Sequence, residues 1–176
     1  EWGAVACMKN ESGSLVDVTE EVGLSNLTVW WNGVASADLD NDGDMDFVAT
    51  NFGYNTKYHA SSQHPVVLYY GRFGTDKMRL VEAEYEGEEL LPVRGKSCST
   101  QAIPHLADKF KTFHDFALAN VTQIYSKPVI EEALKFSIST LASGVFLNDG
   151  KGHFEFRPFP RLAQIAPGFG IVIGEF

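Results

Sequence analysis

The stretch ASADLDNDGDMDFVAT, residues 35–50, sets an aspartate on every second position from 38 to 46: Asp38, Asp40, Asp42, Asp44 and Asp46. Carboxylates crowded this closely repel one another, so the segment demands a counter-charge. Alternating acids around a glycine suit a hard, oxygen-seeking cation. Calcium takes about six to eight oxygens, and a tight loop with acids at its first, third and fifth positions wraps them round one point. Gly43, at the sixth position, allows the turn the backbone must make. On this spacing Asp38, Asp40 and Asp42 supply side-chain oxygens, Asp44 mainly its carbonyl, and Asp46 closes the shell. An EF-hand is excluded, because its twelfth position needs a bidentate Glu and here holds Ala49. The outgoing MDFVAT is β-branched and aromatic, and the incoming WWNGVASA reads the same way, so the loop is expected to join two strands. A solvated acidic loop without metal is the alternative, and the strict spacing with its placed glycine argues against it.

The chain repeats itself imperfectly around this loop. CMKNESGSLVDVT (7–19) and FLNDGKGHFEFRP (146–158) align without a gap, Gly13 on Gly152 and Leu15 on Phe154. Each reads as a β-hairpin: an apolar strand, a polar turn with glycine, an alternating strand. Further on, GVASADL and GIVIGEF both lead an apolar run into an acid and a large hydrophobe. A third copy, VVLYYGRFGTDKMRLVEAE (66–84), fits NGVASADLDNDGDMDFVAT with one residue deleted. Arg72 then replaces Asp38 and Arg79 replaces Asp46, so the strands persist while the charge is lost. Spaced strand–loop–strand units point to a propeller or related repeat architecture.

Residues 97–142 break the pattern. Leu106, Phe110, Phe113, Phe116 and Ala117, then Ile130, Leu134 and Ile138, recur at helical spacing. Ser126 is the expected N-cap of a helix with Pro128 in its first turn and Glu131 and Glu132 near the positive end of the dipole. The expected organisation is therefore β units with one calcium loop over 1–96, an α-helical insertion of two or three helices over 97–142, and a further β unit over 143–176. The aromatics of the helical insertion are expected to pack on the β scaffold.

Composition limits the partners. The 176 residues carry 44% hydrophobic side chains, enough for a packed core. A net charge of −9 leaves no basic stripe for nucleic acid, and no apolar run reaches membrane-spanning length. No signal peptide is visible in EWGAVACMKN. Cys7 and Cys98 match no metal or redox spacing and read as two buried small hydrophobes rather than a disulfide. Asn10, Asn26 and Asn120 fit the glycosylation sequon, a pattern too short to carry weight alone.

The motif DLDNDGDMD resembles the DxDxDGxxD loop of FG-GAP/VCBS repeats, the calcium-binding units of integrin-α-like β-propellers. LLPVRGKSCSTQAIPHLADKFKTFHDFA, followed by LASGVFLNDGKGHFEFRPFPRLAQIAPGFGIVIGEF, is similar to the ASPIC/UnbV (cartilage acidic protein-like) branch, which carries such a helical insertion. The resemblance covers nearly the whole chain. It implies a mainly β fold of propeller-type blades and a structural Ca2+. At Arg72 and Arg79 the family's loop is degenerate, and at Glu175 a glutamate stands where aspartate is usual, so one complete site is expected. Family propellers close with about seven blades. Two or three β units imply a piece of a larger protein, or edges covered by the chain's own helices or by another copy in a homodimer.

Nothing in the sequence resembles a catalytic motif. His59, His64, His105, His114 and His153 form no HExxH, and neither a GxSxG elbow nor a phosphate loop occurs. Adjacent Trp30 and Trp31 could stack on a sugar, though packing between β units is the favoured reading. The expectation is a non-enzymatic, calcium-stabilised module for protein or glycan interactions in the extracellular space or cell envelope. The alternatives are a scaffold piece of a secreted carbohydrate-active enzyme and a calcium-dependent carbohydrate binder.

Overall fold

The computed structural model describes residues 2–174; the expectation at Glu175 lies outside them. Among the described residues the elements run β1 (Trp2–Gly3), β2 (Met8–Glu11), β3 (Ser14–Asp17), β4 (Val29–Trp30), β5 (Gly33–Ala37), β6 (Asp46–Thr50), β7 (Val66–Gly71), β8 (Arg79–Glu86) and β9 (Glu89–Pro92). Five short helices follow: α1 (Lys96–Ala102), α2 (Leu106–Lys109), α3 (Phe113–Ala117), α4 (Val121–Tyr125) and α5 (Lys127–Glu132). Then come β10 (Leu134–Ile138), β11 (Gly144–Asn148), β12 (Phe154–Pro158) and a 3-10 turn at Arg161–Gln164. The chain is mainly β, built from several antiparallel sheets that, among the described residues, do not close into a barrel.

It divides into two compact units, 1–59 with 138–176, and 60–137. In the first, a four-stranded sheet has the order β12-β11-β6-β5. β5 and β6 form the hairpin that frames the acidic loop, with Ala37 opposite Asp46. β6 also runs antiparallel to β11, with Phe47 opposite Phe146. DFVAT is thus a central strand covered on both faces, which suits its near-continuous apolar run. Leu24, Ala49 and Phe146 form the core on one face, with Trp31, Phe47 and Phe156 packed against them. Trp31 meets the rings of Phe146 and Phe156 edge-on at 5.5 and 6.2 Å. Trp30 stacks on Phe52 at 4.8 Å, so both tryptophans serve aromatic packing.

The two aligned hairpins form as expected, β2 with β3 and β11 with β12. Their turns differ. Ser12 and Gly13 make a two-residue turn with φ of 53° and 93°, as the twist of a tight hairpin requires. The other turn is longer and is organised by Asp149, whose Oδ1 accepts from the N–H groups of Lys151 and His153.

In the second unit, β7, β8 and β9 form a meander, and β10 joins it beside β7. The degenerate third copy is therefore a true strand pair. Val67, Tyr69, Val81 and Ala83 from the sheet share one core with Leu106, Phe116, Val121 and Ile124 from the helices and with Ile103, just past the end of α1. The helices pack on this sheet rather than forming a body of their own.

Several expectations for 97–142 are corrected. The helical segment runs from Lys96 to Glu132 as five short pieces, and the segment after it is strand β10. Leu134 and Ile138 therefore stand on a strand, because LKFSI pairs into the sheet instead of extending α5. Ser126 does occupy the N-cap of α5, with Pro128 in the first turn, but at φ 67° its side chain makes no cap hydrogen bond. Glu131 and Glu132 fall in the last turn, at the negative end of the dipole. Both cysteines are free, Cys7 half-buried and Cys98 exposed on α1, so the buried reading fails for Cys98.

Candidate metal centre

The loop between β5 and β6 folds round its own first aspartate. Asp38 Oδ1 accepts from the N–H of Asp42 at 3.2 Å, and Oδ2 from that of Gly43 at 3.1 Å. Asp42 Oδ1 in turn accepts from the N–H of Asp44 at 2.9 Å. Asn41 and Gly43 take left-handed backbone conformations, φ 61° and 96°; Gly43 meets this at no steric cost. The result brings ligand atoms of Asp38, Asp40 and Asp42 to within 4.8 Å of one another. A carboxylate has about four lone-pair directions, so Asp38 keeps acceptor capacity beyond its two amide bonds.

Asp44 and Asp46 are placed differently. Asp46 is fully buried. Its Oδ2 accepts from the N–H of Leu39 and its Oδ1 from that of Asn148, both at 2.8 Å. It ties the start of the loop to the end of β11. Asp44 turns toward the β11–β12 turn: a Cβ on Gly150 would lie 2.7 Å from Asp44 Oδ2, closer than carbon tolerates. Asn148 Nδ2 also donates to the Met45 carbonyl at 3.4 Å. Asn148 and Gly150 are thus part of the site's frame, and sequence reasoning missed them. The NDGKG turn was visible as a hairpin, but nothing in its spacing says which loop it abuts.

Electrostatics follow from the crowding. Loss of solvent around Asp40, then the neighbouring carboxylates of Asp42, Asp46 and Asp38, hold its carboxyl above the usual range. Asp149 moves the other way, lowered by the amide hydrogen bonds from His153 and Lys151. All three converging side chains are exposed, and every donor is a carboxylate oxygen. That set fits a hard divalent cation and not a soft one.

At the start of β8, where the third copy has an arginine in place of an acid, Arg79 donates through Nε to the Ala102 carbonyl at 3.1 Å. His64 stacks on Tyr85 at 5.0 Å. No family, no curated protein and no solved structure matches the chain.

Proposed function

We propose that the chain is a non-enzymatic repeat module in which one structural Ca2+ stabilises the β5–β6 loop, and whose surface serves protein or glycan contacts outside the cell or in its envelope. The observation that carries this reading is the convergence of Asp38, Asp40 and Asp42 from a loop between two paired strands. Asp38, Asp40 and Asp42 would hold the ion through side-chain oxygens, with the Asp44 carbonyl and Asp46 completing the shell. The cation would supply positive charge that relieves the repulsion among these groups. Asp46 meanwhile positions the loop through its bonds to Leu39 and Asn148. A loop this rich in protein oxygens leaves little open coordination, which favours a structural ion over a catalytic one.

The propeller reading draws support from the two four-stranded sheets, each the size of a blade. β5 and β12 are the edges of one of them, and edges of this kind template contact with another chain, here in a homodimer. Calorimetry on chelator-stripped protein tests the central claim. The expected result is about one calcium per chain, lost in Asp40→Ala. Heat at two or more equivalent sites, or none at all, would overturn it.

A further inference from the structure

We propose that the groove between residues 51–58 and the 3-10 turn at Arg161–Gln164 binds an acidic saccharide through a uronate ring. The proposal rests on the interaction role above for its ligand class, but not on the cation loop.

The groove encloses about 420 Å³ and is lined by Tyr54, Asn55, Arg161, Leu162, Gln164 and Ile165. Tyr54 is 54% exposed although it sits on a fixed backbone. Its N–H donates to the Gln164 carbonyl at 2.6 Å. Gln164 is fully buried. Its Oε1 accepts from the Ser143 N–H at 2.9 Å, while its Nε2 donates to the carbonyls of Ser143 and Phe159 at 2.8 and 3.1 Å. From the other wall, the N–H of the buried Asn51 donates to Ser143 Oγ at 2.9 Å. Both walls are therefore wired to one serine, so the groove is formed before any ligand arrives. Preorganisation of this kind lowers the cost of binding.

Charge names the ligand. The chain carries a net charge of −9, yet among the described residues no carboxylate pairs with Arg161. Its guanidinium has donors only, in a fork that matches a carboxylate. Asn55 offers an amide donor and acceptor for hydroxyls. The ring of Tyr54 offers a flat apolar surface of the kind on which the C–H face of a pyranose rests. A uronate ring carries a carboxylate, hydroxyls and an apolar face together. The conjunction of a flat exposed ring, an amide and an unpaired guanidinium favours it over an acidic peptide, which would leave the ring face without a flat partner.

The test titrates the full chain at saturating calcium with a uronic-acid disaccharide, its neutral counterpart and an acidic dipeptide, followed by calorimetry. The disaccharide should bind and the dipeptide should not. Arg161→Gln should weaken the uronate at least about tenfold and leave the neutral sugar unchanged, Arg161→Lys should retain part of the affinity, and Tyr54→Ala should weaken both sugars. Melting curves check that the variants fold. Preference for the dipeptide, no uronate binding at millimolar concentration, or uronate binding lost in Asp40→Ala but untouched in Arg161→Gln would each overturn the groove. The last outcome would assign the sugar to a bridged cation. Calcium binding without uronate binding would sink the groove alone, and uronate binding sensitive to Arg161 without calcium binding would sink the cation reading alone.

Discussion

Asp46 accepts a hydrogen bond from the backbone N–H of Asn148 at 2.8 Å across 102 positions of sequence. The same carboxylate holds the N–H of Leu39. One buried acid therefore fastens the acidic loop to a hairpin that follows the entire second unit in sequence.

Replacing Asp46 should be costly with or without metal. Asp46→Ala leaves two amides without their acceptor, a loss of about 2–6 kcal/mol at about 1–3 for each unsatisfied group. Asp46→Asn should recover less than half of it, since its NH2 faces one of the two N–H donors. Urea denaturation of calcium-free protein measures both. A loss under about 0.5 kcal/mol, the range of an ordinary surface change, would contradict the bridging role.

Gly150 and Gly152 separate contact from backbone strain. Both have positive φ, 70° and 92°, but only Gly150 faces Asp44 Oδ2, whereas a Cβ on Gly152 meets open space. Each alanine substitution should cost about 1–2 kcal/mol for the left-handed backbone. Gly150→Ala alone should also displace Asp44 and weaken calcium binding. Equal calcium affinity in the two variants would refute the contact.

The acidity of the loop should respond to metal. In the calcium-free protein the folded-state pKa of Asp40 is raised, so its protonated form favours folding: this contribution is complete below the unfolded value and is lost as pH rises through the folded one. Asp149, lowered by its amide bonds, contributes in the opposite sense, stabilising above its unfolded value and less as pH falls through the folded one. Carboxyl chemical shifts followed against pH should show a high Asp40 midpoint that calcium lowers. A midpoint indifferent to calcium would count against Asp40 as a ligand.

Melting temperature should rise with calcium and much less with magnesium, which demands stricter octahedral geometry. A ligand bound only by the native state adds about 2.7 kcal/mol at a hundredfold excess over Kd. Identical melting curves before and after chelation would remove the structural role.

Gln164→Ala should destabilise the first unit by about 2–4 kcal/mol, since it strips partners from the buried backbone groups of Ser143 and the partly buried carbonyl of Phe159. It should also raise hydrogen exchange at the Ser143 amide. A neutral substitution would show that water replaces the side chain freely.

The sequence by itself determined what is local. Alternating aspartates around Gly43, β-branched runs on either side and glycine-bearing turns at 12–13 and 149–153 are short-range signals, and the loop, its flanking strands and both hairpins follow from them. Tertiary structure alone decided the rest. Ile130, Leu134 and Ile138 lie four residues apart, a separation that shares a face in a helix and in a strand alike, so only pairing beside β7 could end α5 at Glu132. The same holds for the site. Three aspartates converge through bonds within their own loop, while the orientation of Asp44 and the burial of Asp46 depend on a hairpin about a hundred residues away. Spacing along a chain fixes which side chains share a turn; which distant backbone completes their hydrogen bonds is fixed only when β6 and β11 pair.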